Sequence, residues 1–160
     1  MNHEERFAAV ALNAWKAGIE RADKLFSGLT DDQLLQQIAP GKNRLIYLLG
    51  HLTAVHDAML PLLAFGPRLY PEFDAPFITN PDKERSATPS SPEVRRAWNE
   101  VNGKLSESFA SLRPKQWLEK HTAVSDADFV KEPLRNRLAV LLSRTNHLAY
   151  HLGQAVLSNK

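Results

Sequence analysis

Apolar residues recur every three or four positions along most of this chain, the spacing of an amphipathic helix with one buried face. The first such pattern spans residues 4–26, and Gly28 is expected to end it. Thr30 and Gln33 then have the spacing of a capping box, which predicts a short helical turn before Pro40-Gly41. The apolar positions of the first helix are Phe7, Val10, Ala11, Trp15, Ile19, Ala22 and Phe26.

A second helix is predicted over residues 43–65, with Asn43 as its N-cap. Pro61 is expected to end or kink this helix in its last turn, because proline has no backbone N–H to donate. Its apolar face consists of Leu45, Leu48, Leu49, Leu52, Val55, Met59 and Leu63.

Prolines punctuate residues 66–90 and exclude a continuous helix there; they are Pro67, Pro71, Pro76, Pro81 and Pro89. A connection of this length is unusual inside a compact domain and indicates a functional or crossover segment. Such a connection would allow the second and third helices to run in the same direction.

Two more helices complete the pattern. Ser91, followed by Pro92 and an acidic residue, predicts the N-cap of a third helix that continues to Pro114. Residues 115–132 predict a loop with one turn near Trp117, and Pro133 is expected to open the fourth helix. Four amphipathic helices predict one all-α domain over residues 1–160, a four-helix bundle. The core positions predicted in the last helix are Leu134, Leu138, Leu141, Leu142, Leu148, Leu152 and Val156.

Composition narrows the functional classes. The 160 residues are 43% hydrophobic and 24% charged, as in an ordinary globular protein, and no apolar run approaches a bilayer-spanning length. The absence of cysteine excludes disulfides and thiolate ligands. A net charge of +2 without a dense basic run argues against nucleic-acid binding. With no signal-peptide pattern, we expect a cytoplasmic protein with neither a nucleic-acid nor a membrane partner.

The chemistry that stands out is histidine. His147 and His151 are four residues apart in the fourth helix, so both imidazoles lie on one helix face, one turn apart. On a helical wheel His51 takes a matching place at the edge of the apolar face of the second helix. Three such histidines suit a shared metal ion, or each is hydrogen-bonded separately at the bundle edge. His56 lies near the centre of its apolar face and is either a buried structural histidine or a ligand in place of His51.

Two motifs carry a resemblance to a known family. Leu48-Leu49-Gly50-His51-Leu52 in the second helix, and Asn146-His147 through His151-Leu152-Gly153-Gln154 in the fourth, resemble the DinB-like (YfiT-like) superfamily. The resemblance implies a four-helix bundle with up-down-down-up connectivity. It also implies one divalent metal ion bound by His51, His147 and His151, and a homodimer.

The same resemblance implies a small-molecule substrate and two reaction types. Some relatives are transferases or isomerases that use a low-molecular-weight thiol as co-substrate, and many are described as metal-dependent hydrolases. Imidazole ligands admit Zn, Ni, Fe or Mn. The alternative is a non-catalytic dimeric bundle of the stress response that binds metal structurally or not at all.

Three further residues are candidates for roles around the metal. Gln154 could orient a ligand or a bound water. Arg44 and Arg144 each precede a histidine by seven residues and could steer an anionic substrate, although a salt bridge is the simpler role for both. Gly153, beside His151, would allow another helix to approach closely. No catalytic residue beyond the metal site is assigned.

Overall fold

A computed structural model describes residues 2–82 and 89–159 of the protein. Within these ranges the chain is all-helical and contains no β-strand, as the hydrophobic pattern predicts. The α-helices are α1 (His3–Ser27), α2 (Asp31–Leu34), α3 (Leu45–Asp57), α4 (Met59–Leu62), α5 (Ser91–Ser111), α6 (Asp126–Lys131) and α7 (Arg137–Ala155). Shorter turns occupy Pro71–Phe73, Ala75–Thr79, Pro114–Leu118 and Val156–Asn159.

The predicted end of α1 at Gly28 and start of α2 at Thr30 are confirmed, and α1 begins one residue before the predicted start. Asn2 and Glu5 form a capping box at the start of α1, with both hydrogen bonds at 2.8 Å. Gly28 is the C-cap of α1, and Thr30 and Gln33 form the predicted capping box of α2.

The predicted second helix is divided into α3 and α4. Its N-cap is Arg44 rather than Asn43, and the backbone N–H of Arg44 donates to the Asp82 carboxylate at 2.7 Å. The break at Ala58 follows from Pro61. The proline ring collides with the carbonyl four residues earlier, on Asp57, and α3 ends at that residue.

Later helix boundaries differ from the predictions by one to four residues. Ser90, not Ser91, caps α5, because its N–H donates to Glu93 at 2.7 Å. Asn136 caps α7, so Pro133 lies before that helix rather than opening it. The predicted loop at 115–132 contains α6, with Ser125 as its N-cap. Of the predicted connection at 66–90, residues 83–88 lie outside the described residues.

Two apolar clusters form the core, and α3 packs most extensively on α5 while α1 packs on α7. Fully buried members of these clusters include Leu45, Leu48, Leu105 and Leu148. Some predicted core positions lie outside the core, because neighbouring helices cover only part of the apolar face of each helix. These are Phe7 (67% exposed), Val10 (69%), Leu134 (80%), Leu142 (46%) and Val156 (51%).

One stretch, Leu45–Leu62, is long and apolar enough to cross a membrane by composition. It comprises α3 and α4, and 72% of it is buried inside the protein. This burial is that of a core helix.

Residues 68–82, which we call the strap, are tied to α3 at both ends. The Arg68 guanidinium contacts the carboxylates of Asp57 and Asp74, and Asp57 also accepts the N–H groups of Leu69 and Tyr70 at 2.8 and 3.0 Å. Asp57 is fully buried, so these three hydrogen bonds to its carboxylate replace its hydration.

At the other end of the strap, Asp82 forms a buried ion pair with Arg44, with a shortest N–O distance of 2.7 Å. Both side chains are less than a tenth exposed, at 7% and 4%. The strap is therefore a fixed part of the fold where it passes α3.

Replacing Asp57 with Asn should lower the free energy of unfolding by about 2–4 kcal/mol, because a buried charged pair loses one partner. Urea denaturation measures this loss. The control is Glu20→Gln, which removes an exposed ion pair with Lys16 and should change stability by less than about 0.5 kcal/mol. Equal effects of the two substitutions would contradict a structural role for the Asp57 carboxylate.

Candidate metal centre

Three histidine side chains from α3 and α7 converge at one point. His51 Nε2 lies 3.2 Å from His147 Nε2, and His151 Nε2 lies 3.1 Å from the same atom. One ring nitrogen of each residue lies within 4.8 Å of the other two, and all three side chains are half-buried. The structure thus brings the two histidine motifs together.

Hydrogen bonds on the opposite ring nitrogens fix the proton positions of two histidines. His51 Nδ1 lies 2.8 Å from the Phe77 carbonyl oxygen, which can only accept, so Nδ1 carries the proton. His151 Nδ1 lies 2.7 Å from Gln154 Oε1, and the amide nitrogen of Gln154 donates to the Tyr150 hydroxyl. Both Nε2 atoms therefore present lone pairs towards His147.

His147 cannot satisfy this arrangement alone. Its Nδ1 is buried and has no hydrogen-bond partner among residues 2–82 and 89–159. With the proton on Nε2, the Nδ1 lone pair is left unsatisfied; with the proton on Nδ1, three lone pairs face one another. A cation at the meeting point would turn these three lone pairs into three bonds.

The spacing also fits a metal ion. Two ligand atoms at about 2.1 Å from one ion are about 3.0 Å apart at a right angle and about 3.4 Å apart at a tetrahedral angle. The observed separations of 3.1 and 3.2 Å lie between these values. The two separations that involve His147 are therefore compatible with one shared divalent ion, and the three ligand atoms all lie within 4.8 Å of one another.

The environment keeps two of these imidazoles neutral, which is the form that binds metal. Burial, with smaller contributions from His151, His51 and Arg144, lowers the pKa of His147 to about 4. Burial also lowers the pKa of His151, against an opposing effect of its hydrogen bond to Gln154.

The strap positions His51 through a close contact at Gly50. A Cβ atom on Gly50 would lie 2.4 Å from the Phe77 ring, so only glycine lets this side chain pack on α3. Phe77 is fully buried there, and its carbonyl reaches His51. Tyr47 stacks parallel to the His51 ring at 6.4 Å and donates a hydrogen bond to the Asn80 carbonyl at 2.8 Å.

Sequence comparison identifies the family. Residues 14–155 match the sequence pattern of the DinB superfamily. The chain belongs to the DinB superfamily. The resemblance first seen in the two histidine motifs is thereby confirmed over most of the chain.

Structural comparison supports the fold of this DinB-superfamily protein. It is similar to a structure described as the conserved protein of a locus from Enterococcus faecalis, with a TM-score of 0.63. The match covers 99% of this chain and 95% of the other at 16% sequence identity, so it concerns the fold alone. No curated protein matches the chain.

His56 lies apart from the three converging histidines. It is fully buried between the rings of Trp15 and Trp98, at centroid distances of 4.6 and 5.2 Å. Its Nδ1 lies 2.9 Å from Asn102 Oδ1, and burial lowers its pKa to about 3. These contacts are those of a structural core histidine.

The two arginines predicted near the histidines have different surroundings. Arg44 is held in the buried ion pair with Asp82. Arg144 makes no hydrogen bond or ion pair with any residue in the described ranges, and its Nε is buried. Substrate binding by either residue stays a prediction.

Gln154 and the two motif glycines also have defined places. Gln154 holds the His151 ring. A Cβ on Gly153 would meet nothing within 4 Å, so the expected close helix approach does not occur there. The close approach is at Gly50 instead, and a glycine inside a helix, which costs about 1 kcal/mol relative to alanine, was the signal that could have indicated it.

Replacing Gly50 with Ala should weaken metal binding by about tenfold or more. The new methyl group displaces Phe77, and the carbonyl that orients His51 moves with it. Competition with a chromogenic chelator measures the affinity for Zn²⁺. The matched control is Gly153→Ala, also in a histidine motif, where the open space predicts unchanged affinity. If both variants bind like the wild type, the strap does not set the geometry of His51.

The metal-free protein should lose stability as the pH falls from about 6.5 towards 4. The pKa of His56 is about 3 in the folded state and near 6.5 when unfolded, so the unfolded chain binds more protons in this range. The contribution of His56 is about 1 kcal/mol per pH unit. Urea denaturation at several pH values should give a smaller slope for His56→Gln, which can still donate to Asn102 but does not titrate. Identical slopes would contradict the burial of a neutral His56.

Proposed function

We propose that this protein binds one divalent metal ion through His51, His147 and His151 and that it is a metal-dependent enzyme. The observation that carries this proposal is the convergence of three Nε2 atoms, two of them kept free of protons by hydrogen bonds on the opposite ring nitrogens. Membership of the DinB superfamily supports the same assignment.

The donor set indicates the chemistry. Three neutral imidazoles leave a bound ion its full charge and at least one open position, where it lowers the pKa of a water or binds a thiolate. The Phe77 carbonyl and the Gln154 amide act on the protein side, since they hold two ligand rings in place. Zn, Ni, Fe and Mn are all compatible with this donor set.

Two reactions suit such a centre. One is transfer or isomerisation with a low-molecular-weight thiol as co-substrate, and the other is hydrolysis of a small molecule. The competing function is a non-catalytic bundle in which the ion only joins α3 to α7. Gln154 serves as a positioning residue in all three cases, because its contact is with His151.

The proposal includes the architecture and setting predicted from the sequence. A four-helix bundle with up-down-down-up connectivity is supported by the two core clusters. The N-terminal parts of α1 and α7 share one cluster and their C-terminal parts the other, and α5 follows the direction of α3 and α4 in the same way. We further propose a cytoplasmic homodimer that acts without a nucleic-acid or membrane partner.

Purified protein reconstituted in turn with Zn, Ni, Fe and Mn should hold one ion per chain. His147→Ala should abolish stoichiometric binding, because His147 is the ligand shared by both short contacts. His3→Ala, in an exposed position at the start of α1, should leave the stoichiometry unchanged. Metal analysis after gel filtration measures the ratio, and wild-type protein without stoichiometric metal would refute the site.

The loaded protein then separates the functions. In a thermal-shift screen with bacillithiol, mycothiol and glutathione, a shift by one thiol favours the thiol-dependent reaction. A panel of ester and amide substrates tests the hydrolase reading. Metal binding that stabilises the protein, with no response in either panel, would favour the non-catalytic bundle.

A further inference from the structure

The candidate metal centre has an excess of positive charge. On α7, His147 and His151 follow Arg144 by three and seven residues, so the three side chains lie on the same helix face. Its charge lowers the pKa of both His147 and His56, so its guanidinium acts on both side chains. The Arg144 side chain is half-buried, and its Nε is fully buried.

No acidic residue in the described ranges neutralises Arg144. The two buried carboxylates that contact α3 or its N-cap are already engaged, Asp57 by Arg68 and Asp82 by Arg44. Arg44 is thus the contrasting case, a buried guanidinium with its own carboxylate. A partly buried charge without a partner is costly, so its retention beside a cation site indicates a ligand of opposite charge.

The neighbouring nitrogens are also unpartnered. His56 Nε2 and His147 Nδ1 are buried without hydrogen-bond partners in the described part of the chain. Asn102 donates to the Trp98 carbonyl at 2.9 Å, which orients its Oδ1 towards His56 Nδ1 and leaves His56 Nε2 as an acceptor. Of these two atoms only His147 Nδ1, which carries the proton when Nε2 binds an ion, can donate to an anion. His56 Nε2 is an acceptor in the core, apart from the three converging histidines.

We propose that Arg144 forms an anion-binding subsite beside the histidine centre and that it takes the carboxylate of a small-molecule ligand. This inference rests on the proposed function only in that the same ligand would also contact the metal ion. A divalent ion bound by three neutral imidazoles keeps its positive charge, and the Arg144 guanidinium adds another. A carboxylate between them would offset part of this positive charge. The planar guanidinium can donate two parallel hydrogen bonds to such a group.

The first test uses metal-free protein, so that it does not depend on the metal site. Thermal unfolding is compared in sodium acetate and sodium chloride at equal ionic strength. Acetate should raise the melting temperature of the wild type by about 2 °C or more, and Arg144→Gln should lose this difference. Arg21→Gln, which removes the same charge at an exposed position of α1, should keep it. Arg144→Lys retains the charge and should keep part of the shift.

The second test uses Co(II)-loaded protein and two thiols, thioglycolate and 2-mercaptoethanol. Each thiol loses its proton to the buffer and binds cobalt through sulfur, which gives a charge-transfer band for titration. Arg144→Gln should weaken thioglycolate binding about tenfold or more and leave 2-mercaptoethanol binding unchanged. Arg21→Gln should alter neither affinity.

The outcomes separate the two proposals. An acetate shift that survives in Arg144→Gln, or that is absent from the wild type, overturns the anion subsite. Unchanged thioglycolate affinity in Arg144→Gln does the same, while cobalt binding itself still supports the metal centre. If cobalt does not bind but the acetate shift depends on Arg144, the metal proposal fails and the anion subsite stands.

Discussion

The hydrogen bond between the His51 imidazole and the Phe77 carbonyl joins the long connection of this protein to its candidate metal centre. It fixes the proton on Nδ1 and so frees Nε2 as a ligand. The bond requires that Phe77 be buried on α3, which in turn requires glycine at position 50. The ion pairs of Asp57 and Asp82 hold the strap on α3. A ligand geometry on one helix thus depends on a segment that contains almost no regular helix.

The distribution of charge follows from the same arrangement. The Asp57 carboxylate of α3 pairs with Arg68 of the strap, and the Asp82 carboxylate of the strap pairs with Arg44, the N-cap of α3. Around His147, no carboxylate within the described residues forms such an ion pair. Burial is the chief cause of the lowered pKa of the His147 imidazole. The centre is therefore neutral in its ligands and cationic in its surroundings. Such a site favours a bound cation only together with anionic or water-derived ligands at the open positions.

Much of this could be predicted from the sequence, because helical periodicity and capping motifs act locally. The four long helical patterns, the capping box at Thr30 and the position of His147 and His151 on one helix face all follow from patterns within a few residues. That His51 joins these two histidines follows from the family resemblance rather than from local periodicity. What could not be predicted depends on partners distant in the sequence. Asn43 is a better N-cap by type than Arg44, yet the helix begins at the residue whose N–H reaches Asp82.

The same limit explains the errors at single residues. Gly153 and Gly50 are equivalent in a helical pattern, and only the position of Phe77 distinguishes them. Val10 and Trp15 share one periodic stripe, but only Trp15 faces the helices that bury it. Likewise, nothing local indicates that Arg44 has an acidic partner and Arg144 has none. Tertiary contacts decide these cases.

The separation of the ligands along the chain has a consequence for how the protein would acquire metal. His147 and His151 are one helical turn apart and can bind an ion in any state where that turn forms, whereas His51 is 96 residues from His147. In the unfolded chain, bringing His51 to the ion closes a long loop and has an entropic cost. In the folded chain this loop is already closed, so binding adds no such cost. The third ligand therefore reports on folding. An ion bound only by His147 and His151 needs no more than one formed helical turn. An ion bound by all three histidines stabilises the native topology.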